Sequence, residues 1–216
     1  MNERQPMGVQ DALWLEMDRP SNLMVVDALV WTTEPIDWDG FIRVVRERLW
    51  DRYRVFRSVA VHDDAWYWEE GAPDSFDSHF TRVELPRPGS DAELQEFVSS
   101  QRTAPLDRSR PLWAIACVDG YKGGSAVLTR THHAIADGIR IVQLAMSLFD
   151  ASPEGGAILA PPAPSHAAQP PQPGRSFPRR VLDGVEATAG ELSDLTNELG
   201  GAIGGALSDP LGTTQD

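Results

Sequence analysis

The first sustained apolar run, Leu23 to Trp31, is rich in valine and nearly unbroken. Such a run suits a strand covered on both faces, so a central strand is predicted there. Helical spacing follows, because Asp39 can cap a helix that sets Phe41, Val44, Val45 and Leu49 on one face. Ser90 and Glu93 form a capping box ahead of Leu94, Phe97 and Val98, which predicts a second helix. Shorter strand candidates are Phe56 to His62, Ala65 to Glu69 and His79 to Leu85. A stronger pair, Leu112 to Asp119 and Ser125 to His132, is joined by the glycine-rich turn Gly120 to Gly124 and reads as a hairpin. From Gly138 onward, Ile139, Val142, Met146 and Phe149 return to one side of a helix. Strands and helices interleave, so the expected fold class is α/β, a mixed sheet flanked by helices in a sandwich.

The pattern breaks after residue 150. Seven of the 17 prolines fall between Ala151 and Gly174, where neither a helix nor a central strand could persist. The expected division is therefore a domain over 1–150, a proline-rich linker over 151–178 and a tail over 179–216. In the tail, Val181, Val185, Leu192, Leu195, Leu199 and Ile203 recur at helical spacing and predict one amphipathic helix.

Composition narrows the function classes. With 41% hydrophobic residues among 216, the chain can fill one core. A formal charge of -13 argues against gripping nucleic acid, which needs a basic face. The single cysteine, Cys117, cannot make an internal disulfide and suits a reducing compartment. Its place in an apolar strand predicts a core thiol. The start has no signal-peptide pattern, and no segment approaches a spanning helix. The expected location is cytoplasmic, with peripheral contact at the inner membrane face or a lipid droplet left open. The seven tryptophans are scattered and are expected to fill the core.

The stretch richest in chemistry is Thr131-His132-His133-Ala134-Ile135-Ala136-Asp137-Gly138. Side chains alternate along a strand, so the two histidines should face opposite ways and are not two ligands of one metal. No metal site is expected. A neutral imidazole at a strand end can take a proton from an alcohol at working pH. Asp137 falls where the chain enters the last helix, which suits a carboxylate that holds the turn. Gly138 either leaves room for a substrate or frees the backbone for a tight turn. His62, His79 and His166 lack ligand spacing and are expected at the surface.

This His-His-x-x-x-Asp-Gly pattern resembles the signature of the CoA-dependent acyltransferase superfamily, which includes chloramphenicol acetyltransferase-like and condensation domains. Around it, Asp11-Ala-Leu-Trp-Leu-Glu16, Phe56-Arg57, Val83-Glu-Leu-Pro86 and Pro105-Leu-Asp-Arg-Ser-Arg-Pro-Leu-Trp113 resemble the bacterial wax ester synthase and diacylglycerol acyltransferase family in its own order. The resemblance implies the amino-terminal half of a chloramphenicol acetyltransferase-like sandwich. It implies that His133 is the base that deprotonates a fatty alcohol or diacylglycerol hydroxyl. His132 and Asp137 would orient the site, and Gly138 would keep the substrate channel open. Acyl-CoA would be a co-substrate, and no separate cofactor is implied. Pro111, Leu112 and Trp113 match the family's Pro-Leu-Trp segment, for which a packed strand start is favoured over a channel wall. Family members carry a second half, so a separate carboxyl-terminal half is an expected partner. Two alternatives stay open: a non-catalytic or regulatory half of a split acyltransferase, and a superfamily member acting on a polyketide or peptide acceptor.

Overall fold

The hairpin between Trp113 and His132 is the spine of the structure. A computed structural model describes residues 4–71, 73–150, 152 and 155–156, all within the first of two units, Met1–Pro170. Apart from Ser152, Gly155 and Gly156, the linker expected over 151–178 and the helical tail expected over 179–216 lie outside the described residues. The spine consists of β6 (Trp113–Tyr121) and β7 (Gly124–His132), which pair antiparallel. Between them, Lys122 and Gly123 both adopt positive φ, 48° and 88°, which a two-residue turn needs to match the twist of its strands. The register slips between Asp119 and Tyr121, so a bulge precedes the turn. Gly89 crosses so close to this bulge that a Cβ there would lie 1.9 Å from the Gly120 carbonyl oxygen.

Two more strands among the described residues join this sheet. They are β2 (Val25–Trp31), antiparallel to β7, and β5 (Phe80–Glu84), parallel to β6, giving the order β2-β7-β6-β5. A second, antiparallel sheet has the order β1-β4-β3, from Arg4–Pro6, Trp66–Glu70 and Ser58–His62. The apolar run at β2 is therefore not a central strand. Among the described residues it lies at the sheet edge and is half-buried up to the exposed Trp31, whereas every residue of β7 is buried. Apolarity reports whether the faces of a strand are covered and is silent on how many neighbours it pairs with.

Among the described residues, four α-helices pack around these strands. The first, α1 (Val9–Met17), has no counterpart in the periodicity, since it buries only Leu15 fully. The second, α2 (Trp38–Val45), runs on as a π turn over Arg46–Trp50 and buries Phe41, Val45, Leu49 and Trp50. Its N-cap position is Asp37 and not Asp39, whose carboxylate pairs instead with Arg82. The third, α3 (Asp91–Arg102), has the expected capping box, with the Ser90 N–H donating to Glu93 at 2.7 Å and Ser90 Oγ accepting from Ala92 N at 3.2 Å. The last, α4 (Gly138–Met146), is rotated relative to the predicted face. Ile141, Leu144, Ala145 and, just beyond its end, Leu148 are buried with Ile139, whereas Val142, Met146 and Phe149 are only half-buried.

Both faces of the hairpin are covered. Ile115, Cys117 and Val127 join the cluster built on α2, the π turn and α4, while Ala116, Val118, Ala126 and Leu128 pack under α3. Of these, each buried Val, Leu or Ile side chain contributes about 1.5–3 kcal/mol. A third cluster joins Leu15 of α1 and Trp68 of the second sheet to Leu112 and Ala134, next to the paired histidines. Cys117 is a core residue as expected, and burial raises its thiol pKa to about 11. Among the tryptophans, Trp31 departs from expectation by standing 59% exposed on the edge strand.

His79 also departs from expectation. It is buried, stacks on Trp113 with ring centroids 4.1 Å apart, and places Nδ1 2.8 Å from the Trp113 carbonyl oxygen. Its polar neighbours in sequence belong to a short 3-10 turn, Pro73–His79, and the ring closes over the start of β6. His62 is exposed, as expected, and His166 lies outside the described residues.

Candidate active site

The strand β7 delivers two adjacent imidazoles into different surroundings. His132 is buried, its backbone N–H donates to the Leu112 carbonyl at 3.0 Å, and its Nδ1 accepts the Ala134 N–H at 3.0 Å. An acceptor role for Nδ1 puts the proton of the neutral ring on Nε2. That nitrogen faces Asp18 Oδ2 at 3.6 Å, which gives electrostatic attraction without a hydrogen bond. Burial pulls the His132 pKa down to about 4, and the Asp18 carboxylate only partly opposes it. At neutral pH this ring is uncharged.

His133 is half-buried and open on one side. Its backbone N–H donates to the Met24 carbonyl at 2.9 Å, and its ring stacks on Trp14 of α1 with centroids 4.7 Å apart and planes inclined by 26°. Nδ1 is buried and has no hydrogen-bond partner among the described residues, which leaves Nε2 as the nitrogen able to meet a substrate. Burial lowers the pKa of this ring too, against the raising influence of the Asp137 carboxylate. The neutral form of the ring is therefore favoured at pH 7.

Asp137 is the N-cap of α4, where its Oδ1 accepts the Arg140 N–H at 2.9 Å. Asp11, in the first turn of α1, has its pKa pushed up to about 6 by burial and then by the Asp137 carboxylate, with Arg140 opposing. A Cβ on Gly138 would meet nothing within 4 Å, and its φ is not in the left-handed region. No tight turn therefore needs a glycine there, and the space beside it is open. Pro111, Leu112 and Trp113 are all buried, with the Trp113 indole donating to the Phe56 carbonyl at 2.7 Å. They form a packed strand start, and Trp113 also borders a pocket.

That pocket is a narrow crevice partly open to solvent, and its wall includes Leu49, Phe56, Trp113, Ile141 and Leu144. Thr129 and Thr131 supply its β7 wall. By strand alternation they lie on the side of β7 toward which His133 follows two positions later. The space is mostly apolar and runs along the strand that ends at the histidines. Among the described residues no group of three or more His, Cys, Asp or Glu could hold a metal ion. Nor is any helix among them long and apolar enough to cross a membrane.

Several residues around the pair had no role assigned from sequence. Trp14 and Asp11 stand in the Asp11–Glu16 stretch, and Arg108 in the Pro105–Trp113 stretch, so the motifs were visible while the contacts were not. Asp18 carried no signal at all, because its partner Arg108 is 90 residues away.

A family model described as the wax ester synthase/diacylglycerol acyltransferase catalytic domain matches residues 7–214. A Mycobacterium tuberculosis protein carrying a provisional diacylglycerol O-acyltransferase name is 34% identical over 158 residues, which is 68% of this chain and 31% of the relative. Another from that organism, similarly named, is 35% identical over 136 residues, covering 61% of this chain and 28% of the relative. The chain thus spans about a third of the length of the curated relatives it matches. Among solved structures, the wax ester synthase/diacylglycerol acyltransferase of Marinobacter aquaeolei VT8 superposes with a TM-score of 0.59 at 24% identity, over 80% of this chain and 42% of that one. The starter condensation domain of rhizomide synthetase gives 0.57 at 16% identity, over 68% and 36%. These likenesses bear out the acyltransferase-type α/β fold expected from the motif. The chain belongs to the wax ester synthase/diacylglycerol acyltransferase catalytic-domain family.

Proposed function

We propose that this chain supplies the base-bearing part of an enzyme that transfers an acyl group from acyl-CoA to a fatty alcohol or diacylglycerol. The observation that carries this reading is the neutral, half-open imidazole of His133, held at the end of a fully buried strand beside open space at Gly138. In this scheme Nε2 of His133 accepts the hydroxyl proton as the alcohol oxygen attacks the thioester carbonyl. The tetrahedral intermediate then expels the CoA thiolate, which takes the proton back from the imidazolium. No covalent acyl-enzyme and no bound cofactor enter the scheme, and acyl-CoA acts as co-substrate. The narrow crevice beside β7 has a mostly apolar lining, which is compatible with contact to a hydrocarbon chain. His132 and Asp137 act by holding the turn that presents His133.

The relatives' greater length supports a further part of the reading, that the remaining surfaces for CoA and acceptor come from a carboxyl-terminal half. The test follows thiol release and ester formation from a long-chain acyl-CoA with hexadecanol or a diacylglycerol, using this chain alone and with such a half added. Activity that needs both and vanishes in His133→Ala supports the proposal. Ester formation undiminished in a folded His133→Ala protein contradicts it. If the completed protein forms no ester at all, the non-catalytic reading takes its place.

A further inference from the structure

Between α1 and β2 the chain passes through a short loop closed on itself by the paired backbone of Arg19 and Asn22, with hydrogen bonds of 3.2 and 2.8 Å. At its start stands Asp18, whose side chain is only 11% exposed. One carboxylate oxygen accepts the Met24 N–H at 2.8 Å. The other accepts from Arg108 at 3.0 Å and lies 3.6 Å from Nε2 of His132. The same Arg108 nitrogen donates to the Leu15 carbonyl at 2.9 Å, tying the carboxylate to the last turn of α1. Met24 uses its carbonyl to accept the His133 N–H at 2.9 Å. One residue thus receives the carboxylate on its N–H and holds the second histidine on its C=O.

We propose that Asp18, anchored by Arg108, is a positioning residue that fixes the Met24 backbone and through it the His133 ring against Trp14. A sheltered carboxylate is retained only where it is well paired. Burial works to raise the Asp18 pKa, but the Met24 N–H, Arg108 and the nearby His132 more than offset it, so the group stays below the usual carboxylate value and ionised at neutral pH. Releasing Asp18 frees the Met24 N–H, slackens the start of β2 and removes the support under His133. The inference rests on His133 being the base, but its test uses no turnover, so either can fail without the other.

The experiment uses the full 216-residue chain and its Asp18→Ala, Asp18→Asn and Arg108→Gln variants. Two quantities are read by NMR: amide hydrogen exchange at Met24, His133, Val127 and Leu128, and the titration of the His133 ring. In Asp18→Ala, exchange at Met24 and His133 is expected to quicken at least about tenfold while Val127 and Leu128 hold. The His133 midpoint is expected to rise toward the ordinary value near 6.5 as the ring leaves Trp14 for water. Loss of a negative charge alone would move an imidazole the other way, so the sign separates release from electrostatics. Asp18→Asn keeps an oxygen for the Met24 N–H and should restore most of the protection. Should Asp18→Ala not fold, Arg108→Gln must still show the same selective loss in weaker form. The proposal is overturned by unchanged exchange at His133, by equal loss at Val127 and Leu128, or by identical behaviour of Asp18→Ala and Asp18→Asn.

Discussion

His132 and His133 are neighbours in sequence, yet the sheet puts them in different environments. On one side, His132 is sealed among Leu112, Ala134 and Asp18, with Nδ1 committed to a backbone N–H. On the other, His133 lies flat on Trp14, keeps Nε2 uncommitted, and faces the helix that Asp137 caps. The same residue type is therefore a strut in one place and a candidate base in the other. Strand alternation separates the two rings, and burial then decides which can exchange a proton.

The comparison breaks most visibly by deletion. With a carboxyl-terminal half supplied, His133→Ala should lower ester formation by the full contribution of a general base, roughly 10²–10⁴-fold, with little change in the thermal stability of this chain. Initial rates and a melting curve on the same preparation check both halves of that statement. His132→Ala should do the reverse in emphasis. The Ala134 N–H loses its acceptor at about 1–3 kcal/mol and the vacated volume adds to it, so urea denaturation should register the larger effect.

A smaller effect tests the acidic side of His133. Asp11 has a folded-state pKa of about 6 against an ordinary value of 3.8, so its neutral form is the one the fold favours. Its favourable contribution is present below pH 4 and is lost as pH rises through 6. Asp11→Asn should therefore melt above the natural protein at pH 8, with the gap closing near pH 4. Thermal denaturation at the two pH values checks the sign. The smallest effect concerns the cap. Asp137→Ala should cost about 0.5–2 kcal/mol, whereas Asp137→Asn, which still offers an oxygen to the Arg140 N–H, should stay within a few tenths. Chemical denaturation of the two variants separates them. Abolished turnover in an Asp137→Asn protein of normal stability would give that carboxylate a direct part in the reaction.

What was legible in the sequence was local. The capping box at Ser90, the turn at Gly123 and the strands flanking it all depend on residues a few positions apart, and the structure has them. What was not legible depends on partners distant in the chain. The edge position of β2 is a matter of sheet order, and α1 is held by Leu15 packing into a cluster drawn from three other regions. His79 looked like a surface residue because its neighbours are polar, while its ring is covered by Trp113 from 34 residues away. At the candidate site the histidines, Asp137 and Gly138 stood out as a motif. Asp18 and Arg108 did not, because a carboxylate and a guanidinium 90 residues apart leave no spacing to read.

The division between the two histidines is the center of this account, and one measurement reaches it directly. In the natural protein, the imidazole nitrogens of both residues can be followed by NMR from pH 3 to pH 8. His132 should hold its proton on Nε2 and stay neutral until about pH 4. His133 should titrate below the ordinary value near 6.5 but with a smaller displacement, in keeping with its half-open setting. A His132 that titrates at or above His133, or that carries its proton on Nδ1, would contradict the assignment of one strut and one base.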